Sequence, residues 1–218
     1  MNIEIDKVYH DDCMHFLSIM GGQIVDLLLT DIPYEGVNHP TNGIRTFDKG
    51  KANVLTFNLH DYLELVWEKV KSTFIIFCGE EQLSKIYQYF LDRQNEGKGT
   101  VRHIVWHKSN PSPVNGQFVY LSGVENAIWF KKRGGTFNAH CKNTVFKYPC
   151  GRSKLHPTEK NHELLRELIK DNSNVGDLVL DTCCGSGSHC LVAKEENRHY
   201  IGIEIDSQYY EIAKNRLM

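Results

Sequence analysis

Two short stretches hold the residues whose types and spacing could do chemistry. In Asp31-Ile32-Pro33-Tyr34 a carboxylate, main-chain carbonyls and an aromatic ring follow the apolar run Val25-Asp26-Leu27-Leu28-Leu29-Thr30. That run reads as a buried strand of a parallel sheet. The proline-stiffened turn after it would present these groups at the sheet's carboxyl edge, where open α/β sheets bind ligands. In the second stretch, a strand ends in Asp181 and leads through Thr182, Cys183, Cys184, Gly185, Ser186 and Gly187 into a helix from about Ser188. The glycines allow a tight turn with close backbone approach, and the unpaired amides of the helix start suit a carboxylate or other anion. Further on, Tyr200 to Asp206 reads as a strand carrying Glu204 and Ile205. An acid about twenty residues after such a turn is placed to accept ribose hydroxyls, so turn, helix and acid together describe a nucleoside-cofactor site.

The elements that must position these groups alternate along the chain. Ile3 to Val8 alternates apolar and charged residues like a strand with one covered face, and Asp11 or Asp12 then begins a helix burying Phe16, Leu17 and Met20. Leu59 to Val70 has helical spacing, Ser72 to Cys78 reads as a buried strand, and Leu83, Ile86, Tyr87, Phe90 and Leu91 share a helix face. Val101 to His107 and Gly123 to Lys132 read as strands around the proline-containing loop Asn110 to Pro113. His156-Pro157-Thr158-Glu159-Lys160 reads as the start of a helix burying Leu164, Leu165, Leu168 and Ile169. Gly134 to Lys154 shows no clear period, and neither does the interval from Glu35 to Phe57. The latter lies beside the Asp31 turn and suggests a lid over residues 35–57, with Arg45 available for phosphates.

With 218 residues and 41% hydrophobic composition, the expectation is one domain spanning 1–218. No apolar run approaches the roughly 18 residues of a membrane span, and the amino terminus lacks the pattern of a signal peptide, so a cytoplasmic protein without membrane contact is expected. Seven scattered cysteines without paired spacing argue against a disulfide framework or a metal site. The net charge of -2 conceals a basic stretch: ten Lys or Arg against Glu125 and Glu159 lie between Gly99 and Lys160. A local surplus of this kind attracts a polyanion.

The Asp31 tetrapeptide resembles the Asp-Pro-Pro-Tyr motif of DNA amino-methyltransferases, which methylate the exocyclic nitrogen of adenine or cytosine. Trp106, Lys108, Asn110, Pro111, Pro113 and Glu125 resemble that family's tryptophan-to-proline line and glutamate strand, and His156 to Lys160 its H-P-T-x-K element. The order of parts, with the glycine turn late, is similar to the circularly permuted beta group. The resemblance implies a Rossmann-like α/β sheet, mostly parallel with one antiparallel strand and helices on both faces. It implies S-adenosylmethionine as cofactor, held by Asp11 or Asp12, His156, Pro157, Thr158, Asp181, Cys183, Gly185, Ser186, Gly187, Glu204 and Ile205. Catalysis would fall to Asp31, Ile32, Pro33 and Tyr34, and DNA would be the macromolecular partner. A short recognition segment at 131–154, with Lys108 before it, would offer Lys108, Lys131, Lys132, Arg133, Lys142, Lys147, Arg152 and Lys154 to phosphates.

An aspartate in the first motif position is commoner in this family for adenine than for cytosine, which favours 6-methyladenine over 4-methylcytosine as product. The family usually has proline where Ile32 stands, so a DNA-binding protein of this fold without turnover stays as an alternative. A Cys150 nucleophile and a nicotinamide dehydrogenase are weaker ones, the latter because it leaves the Asp31 and His156 motifs without a role. The resemblance points to a restriction-modification or phage setting, in a bacterial or phage-infected host cytosol, and dimers among relatives make a homodimer an open assembly.

Overall fold

A computed structural model describes residues 3–34, 55–113, 116–151 and 159–218. Eight strands and six helices occur among the described residues: β1 (Lys7–His10), α1 (Cys13–Ile19), β2 (Val25–Asp31), α2 (Leu59–Lys69), β3 (Val70–Cys78), α3 (Glu80–Asn95) and β4 (Gly99–Lys108) come first. They are followed by β5 (Val124–Lys132), β6 (Val145–Tyr148), α4 (His162–Asn172), β7 (Leu178–Asp181), α5 (Ser188–Glu195), β8 (His199–Glu204) and α6 (Ser207–Leu217).

Helix starts follow the short polar side chains. Asp12, Asn58, Asn161 and Asp206 each accept hydrogen bonds from two amides of the first turn, a cap contributing about 1 kcal/mol. Among the described residues the helix expected to open at His156 starts after its cap Asn161, and Glu159 and Lys160 before it belong to no helix or strand, while His156 to Thr158 lie outside the described residues. Local capping chemistry, rather than the proline, sets that boundary.

The strands form a single sheet in the order β1-β8-β7-β2-β3-β5-β4-β6. Every pairing is parallel except those of β5, which runs antiparallel to both β3 and β4, as expected of a Rossmann-like sheet with one reversed strand. The opening strand lies beside β8, with Lys7 opposite Ile201. β6 was hidden in the unpatterned segment: it is a four-residue edge strand with only Phe146 buried, too short to show a period.

Side chains of β2 alternate between two cores. Leu28 and Ile32 pack with Phe16, Tyr62, Val66 and Phe90 from α1, α2 and α3, whereas Leu27 and Leu29 pack with Leu164, Leu168, Val192 and Ala213 from α4, α5 and α6. Covering both faces is why the strand reads as one apolar run. From β7 the chain moves outward to β8 through α5 on one face, and from β2 it moves the other way to β3 through α2 on the opposite face. The ends of β7 and β2, paired at Leu180 and Leu28, thus flank a switch point, where the diverging helices leave a crevice beyond the strands' carboxyl ends.

Candidate active site

Asp31 is the last residue of β2, so the crevice begins at its carboxylate. The next residue turns inward: Ile32 is 1% exposed, packs in the core and donates its amide to Phe77 O at 3.2 Å. Pro33 O accepts from Gln82 Nε2 at 2.8 Å, while Gln82 Oε1 accepts from Gly79 N at 3.0 Å. The fully buried Gln82 thereby ties the turn to the start of α3. Glycine at 79 makes room for the ring, since a Cβ there would lie 3.2 Å from Tyr34 Cβ.

Four charged groups and a phenol meet at this turn. Tyr34 donates its hydroxyl to Asp31 Oδ1 at 2.9 Å, and Lys160 Nζ donates to Asp31 Oδ2 at 2.5 Å. The same ammonium stands 2.7 Å from Glu125 Oε2, and Lys108 Nζ lies 2.7 Å from Glu125 Oε1. Burial pulls Lys160 down, but Asp31, Tyr34 and Glu125 outweigh it and hold the amine well above its ordinary value, so it remains a cation. Burial, reinforced by the Asp31 charge, pushes Tyr34 far up and keeps its hydroxyl a donor. Burial also pushes Glu125 up, yet the charges of Lys160 and Lys108 prevail and leave it below the usual carboxylate value.

Across the crevice, the glycine turn is held by carboxylates on either side. Glu204 Oε2 accepts from Gly185 N and Oε1 from Asp206 N, both at 2.8 Å, and burial raises its pKa. Asp181 Oδ1 accepts from Thr30 Oγ1 at 2.8 Å and Cys183 N at 3.2 Å, and Oδ2 meets His189 Nδ1 at 2.6 Å. Arg216 of α6 reaches Ser186 O at 3.3 Å and Glu159 Oε1 at 2.5 Å, fastening the segment before α4 to the turn. At the β1 end, Asp12 is the cap of α1 and Asp11 pairs with His15 Nδ1 at 2.9 Å.

These parts surround a cavity of about 620 Å³ whose walls include Asp31, Tyr34, Lys160, Asp11, Asp12, Cys183, Gly185, Ser186, Glu204 and Ile205. That volume falls within the roughly 300–1,000 Å³ of small-molecule and cofactor sites. A polar ligand is indicated by His189, which lines the cavity at 3% exposure with Nε2 buried and without a partner among the described residues. Acid at one end, amides in the middle and a carboxylate beyond fit a nucleoside joined to an amino acid.

Several expected residues have other positions. Asp181 and Gly187 do not line the cavity: Asp181 is an inner brace, and Gly187, at φ 78°, lies where a Cβ would approach Ala213 Cβ at 3.1 Å. The turn glycine there serves the packing of α5 against α6. Lys131 and Lys132 pair opposite Thr73 and Gly99, at the amino end of the sheet. Because β5 is reversed, it carries Lys132 about 24 Å from Glu125, at roughly 3.4 Å per residue. Lys131, Lys132 and Arg133 therefore lie at the edge away from the cavity, and Lys132 donates to Trp67 O and Val70 O at 2.8 and 2.6 Å. Lys142 is held by Glu167 and Asp171, and Lys108 by Glu125. Lys147, opposite His107, is exposed at the carboxyl end. Arg45, Arg152, Lys154, His156, Pro157, Thr158 and the interval 35–54 of the expected lid lie outside the described residues.

Sequence reasoning passed over Lys160 as a site residue, and also Gln82 and His189. For Lys160 the signal was a lysine in the H-P-T-E-K element; Gln82 and His189 lie on helices with no pattern to mark them. All seven cysteines are free thiols, and the Cys183 and Cys184 thiols are pushed well above their ordinary range, Cys183 by Cys13 and burial, Cys184 by Cys190 and burial. Among the described residues no cluster of His, Cys, Asp and Glu could hold a metal, and no helix is long and apolar enough to cross a membrane.

The family model for N6/N4 methyltransferases, described as DNA methylase, matches residues 25–215. Type II methyltransferase M2.DpnII of Streptococcus pneumoniae is 25% identical over 237 residues, covering 95% of this chain and 88% of that protein. Type II methyltransferase M.HinfI of Haemophilus influenzae is 28% identical over 251 residues, covering 100% and 69%. Among solved structures, that of the M1.HpyAVI-SAM complex has a TM-score of 0.72 at 27% identity, covering 96% of this chain and 98% of the other. The cytosine-N4-specific PvuII DNA methyltransferase scores 0.70 at 16% identity, covering 97% and 86%, a likeness of fold alone.

Proposed function

The chain belongs to the N6/N4 DNA methylase family, and from that premise we propose that it methylates the N6 amine of an adenine turned out of DNA, using S-adenosylmethionine. When bound, the cofactor supplies a methyl group on a sulfonium. The chain's own residues hold and orient the partners. Glu204 would take the ribose hydroxyls, Asp11 or Asp12 the adenine end, and the turn at Cys183, Gly185 and Ser186 the amino-acid end, helped by His189. His156, Pro157 and Thr158 would complete that end.

An exocyclic amine is a poor nucleophile because its lone pair is delocalised into the ring. Two acceptors, the Asp31 carboxylate and the Ile32 carbonyl, would draw its two hydrogens out of the ring plane and free the lone pair, with Pro33 shaping the turn. A single preorganised group of this kind contributes roughly 10²–10³ in rate. Tyr34 would stack on the base, which has to leave the duplex at a cost of a few kcal/mol. The isoleucine supports turnover rather than binding alone: its side chain belongs to the core, and its carbonyl accepts no backbone hydrogen bond among the described residues.

The observation that carries the proposal is the meeting of the Asp31 turn and the glycine turn around one cavity, at the paired ends of β2 and β7. The lateness of β7 in the chain supports the circularly permuted beta group, and the aspartate at position 31 supports adenine. Lys147, together with Arg45, Arg152 and Lys154, is proposed to contact phosphates. The test is transfer of labelled methyl from S-adenosylmethionine to unmodified duplex DNA, followed by digestion to nucleosides. Label in 6-methyladenine is expected. Label in 4-methylcytosine would move the target while keeping the chemistry, and DNA without label would refute the proposal.

A further inference from the structure

Asp31 has a donor on each oxygen. The Tyr34 hydroxyl holds Oδ1 at 2.9 Å and the Lys160 ammonium holds Oδ2 at 2.5 Å. The torsion that turns a carboxylate is broad and roughly two-fold when unconstrained, so these two contacts fix its plane. Lys160 is 4% exposed, and a buried ammonium costs several kcal/mol unless it is compensated. Its compensation comes from both sides, since Glu125 Oε2 stands 2.7 Å away and is itself anchored by Lys108. The contact to Asp31 has hydrogen-bond geometry. The contact to Glu125 is an ion pair at 2.7 Å, longer than the 2.5 Å to Asp31. The ammonium is thus aimed at Asp31 and backed by Glu125.

We propose that Lys160 is a positioning residue for methyl transfer: it locks the Asp31 carboxylate in the plane that meets the target amine, and the Glu125–Lys108 pair holds Lys160 in place. This rests on reading the site as an amino-methyltransferase. The rival role is charge neutralisation alone, in which Lys160 merely keeps two buried carboxylates from repelling each other. The two roles separate when Glu125 is removed as well. Lys160→Met strands two facing carboxylates, whereas Lys160→Met with Glu125→Gln removes one charge of each sign.

The experiment compares the unaltered protein, Lys160→Met, Glu125→Gln and the double variant by thermal melting, S-adenosylmethionine affinity and single-turnover methyl transfer to duplex DNA. Positioning predicts that Lys160→Met loses roughly a hundred-fold in the transfer step, the scale of a misplacement near 1 Å, while cofactor affinity holds. It predicts that the double variant regains melting temperature but not rate. Recovery of rate together with melting temperature in the double variant would overturn the inference, as would a Lys160→Met protein that transfers at the unaltered rate. If Lys160→Met does not fold, the double variant decides alone. An unaltered protein that transfers no methyl to DNA overturns the functional reading, and this inference with it.

Discussion

Replacing Glu204 by glutamine separates two roles of the β8 acid. The carboxylate accepts from Gly185 N and Asp206 N at 2.8 Å each, at 5% exposure. Glutamine keeps one acceptor oxygen and turns the other into an amide donor, so one of the two backbone N–H groups must face a donor. A buried group left unsatisfied costs about 1–3 kcal/mol. Taking about 2 kcal/mol, the melting temperature should fall by about 4–8 °C for a chain of this size. If the carboxylate also holds the ribose, a hydrogen bond to a charged acceptor is lost on the ligand side, worth about 1.5–3 kcal/mol. Cofactor affinity should then weaken roughly 10–100-fold, at about 1.4 kcal/mol per factor of ten. Calorimetric titration with S-adenosylmethionine beside a thermal melt reads both. A lowered melting temperature with unchanged affinity would refute the ribose role and leave Glu204 as a brace. No change in either would refute the hydrogen-bond geometry itself.

Gly187→Ala should destabilise by about 1 kcal/mol or more, because alanine at φ 78° is strained and its Cβ meets Ala213 at 3.1 Å; an unchanged urea midpoint would contradict this. Lys147→Glu should weaken DNA binding and reduce the salt slope by about 1 or more, whereas Arg133→Glu, at the far edge of the sheet, should leave both unchanged; equal losses in the two would contradict the placement. Burial, with Arg93 and Lys98 nearby, pulls Lys132 down to about 8 from 10.5. Between those values the unfolded chain binds the extra proton, so stability from this group rises as pH increases through that window. The unaltered protein should therefore gain in urea midpoint relative to Lys132→Met from pH 8 to 10.5, and a parallel course of the two would refute the assignment.

Much of the fold was legible because its signals are local. β2 reads as a buried strand since both of its faces are covered, and α1 and α6 start at aspartates whose side chains cap them. The glycine turn and Glu204 fell where the strand pattern put them. Other features depend on partners distant in sequence. Nothing in Val124 to Lys132 reveals its direction, yet that reversal moves the lysines from the cavity to the opposite edge. Nor does the sequence show that Lys160 passes between Asp31 and Glu125, because the three come from segments up to 129 residues apart. Gln82 is polar on a helix otherwise read by its apolar face, and only the tertiary contact to Pro33 O gives it a task.

The measurement that tests the central claim most directly is S-adenosylmethionine affinity and single-turnover methyl transfer to DNA, determined side by side for the unaltered protein and Asp31→Asn. Asparagine keeps the shape but removes the charge that accepts from the amine, so cofactor affinity should persist while the transfer rate falls roughly 10²–10³-fold. An Asp31→Asn protein that still transfers methyl at the unaltered rate would contradict the account, because the carboxylate at the end of β2 would then have no part in the chemistry.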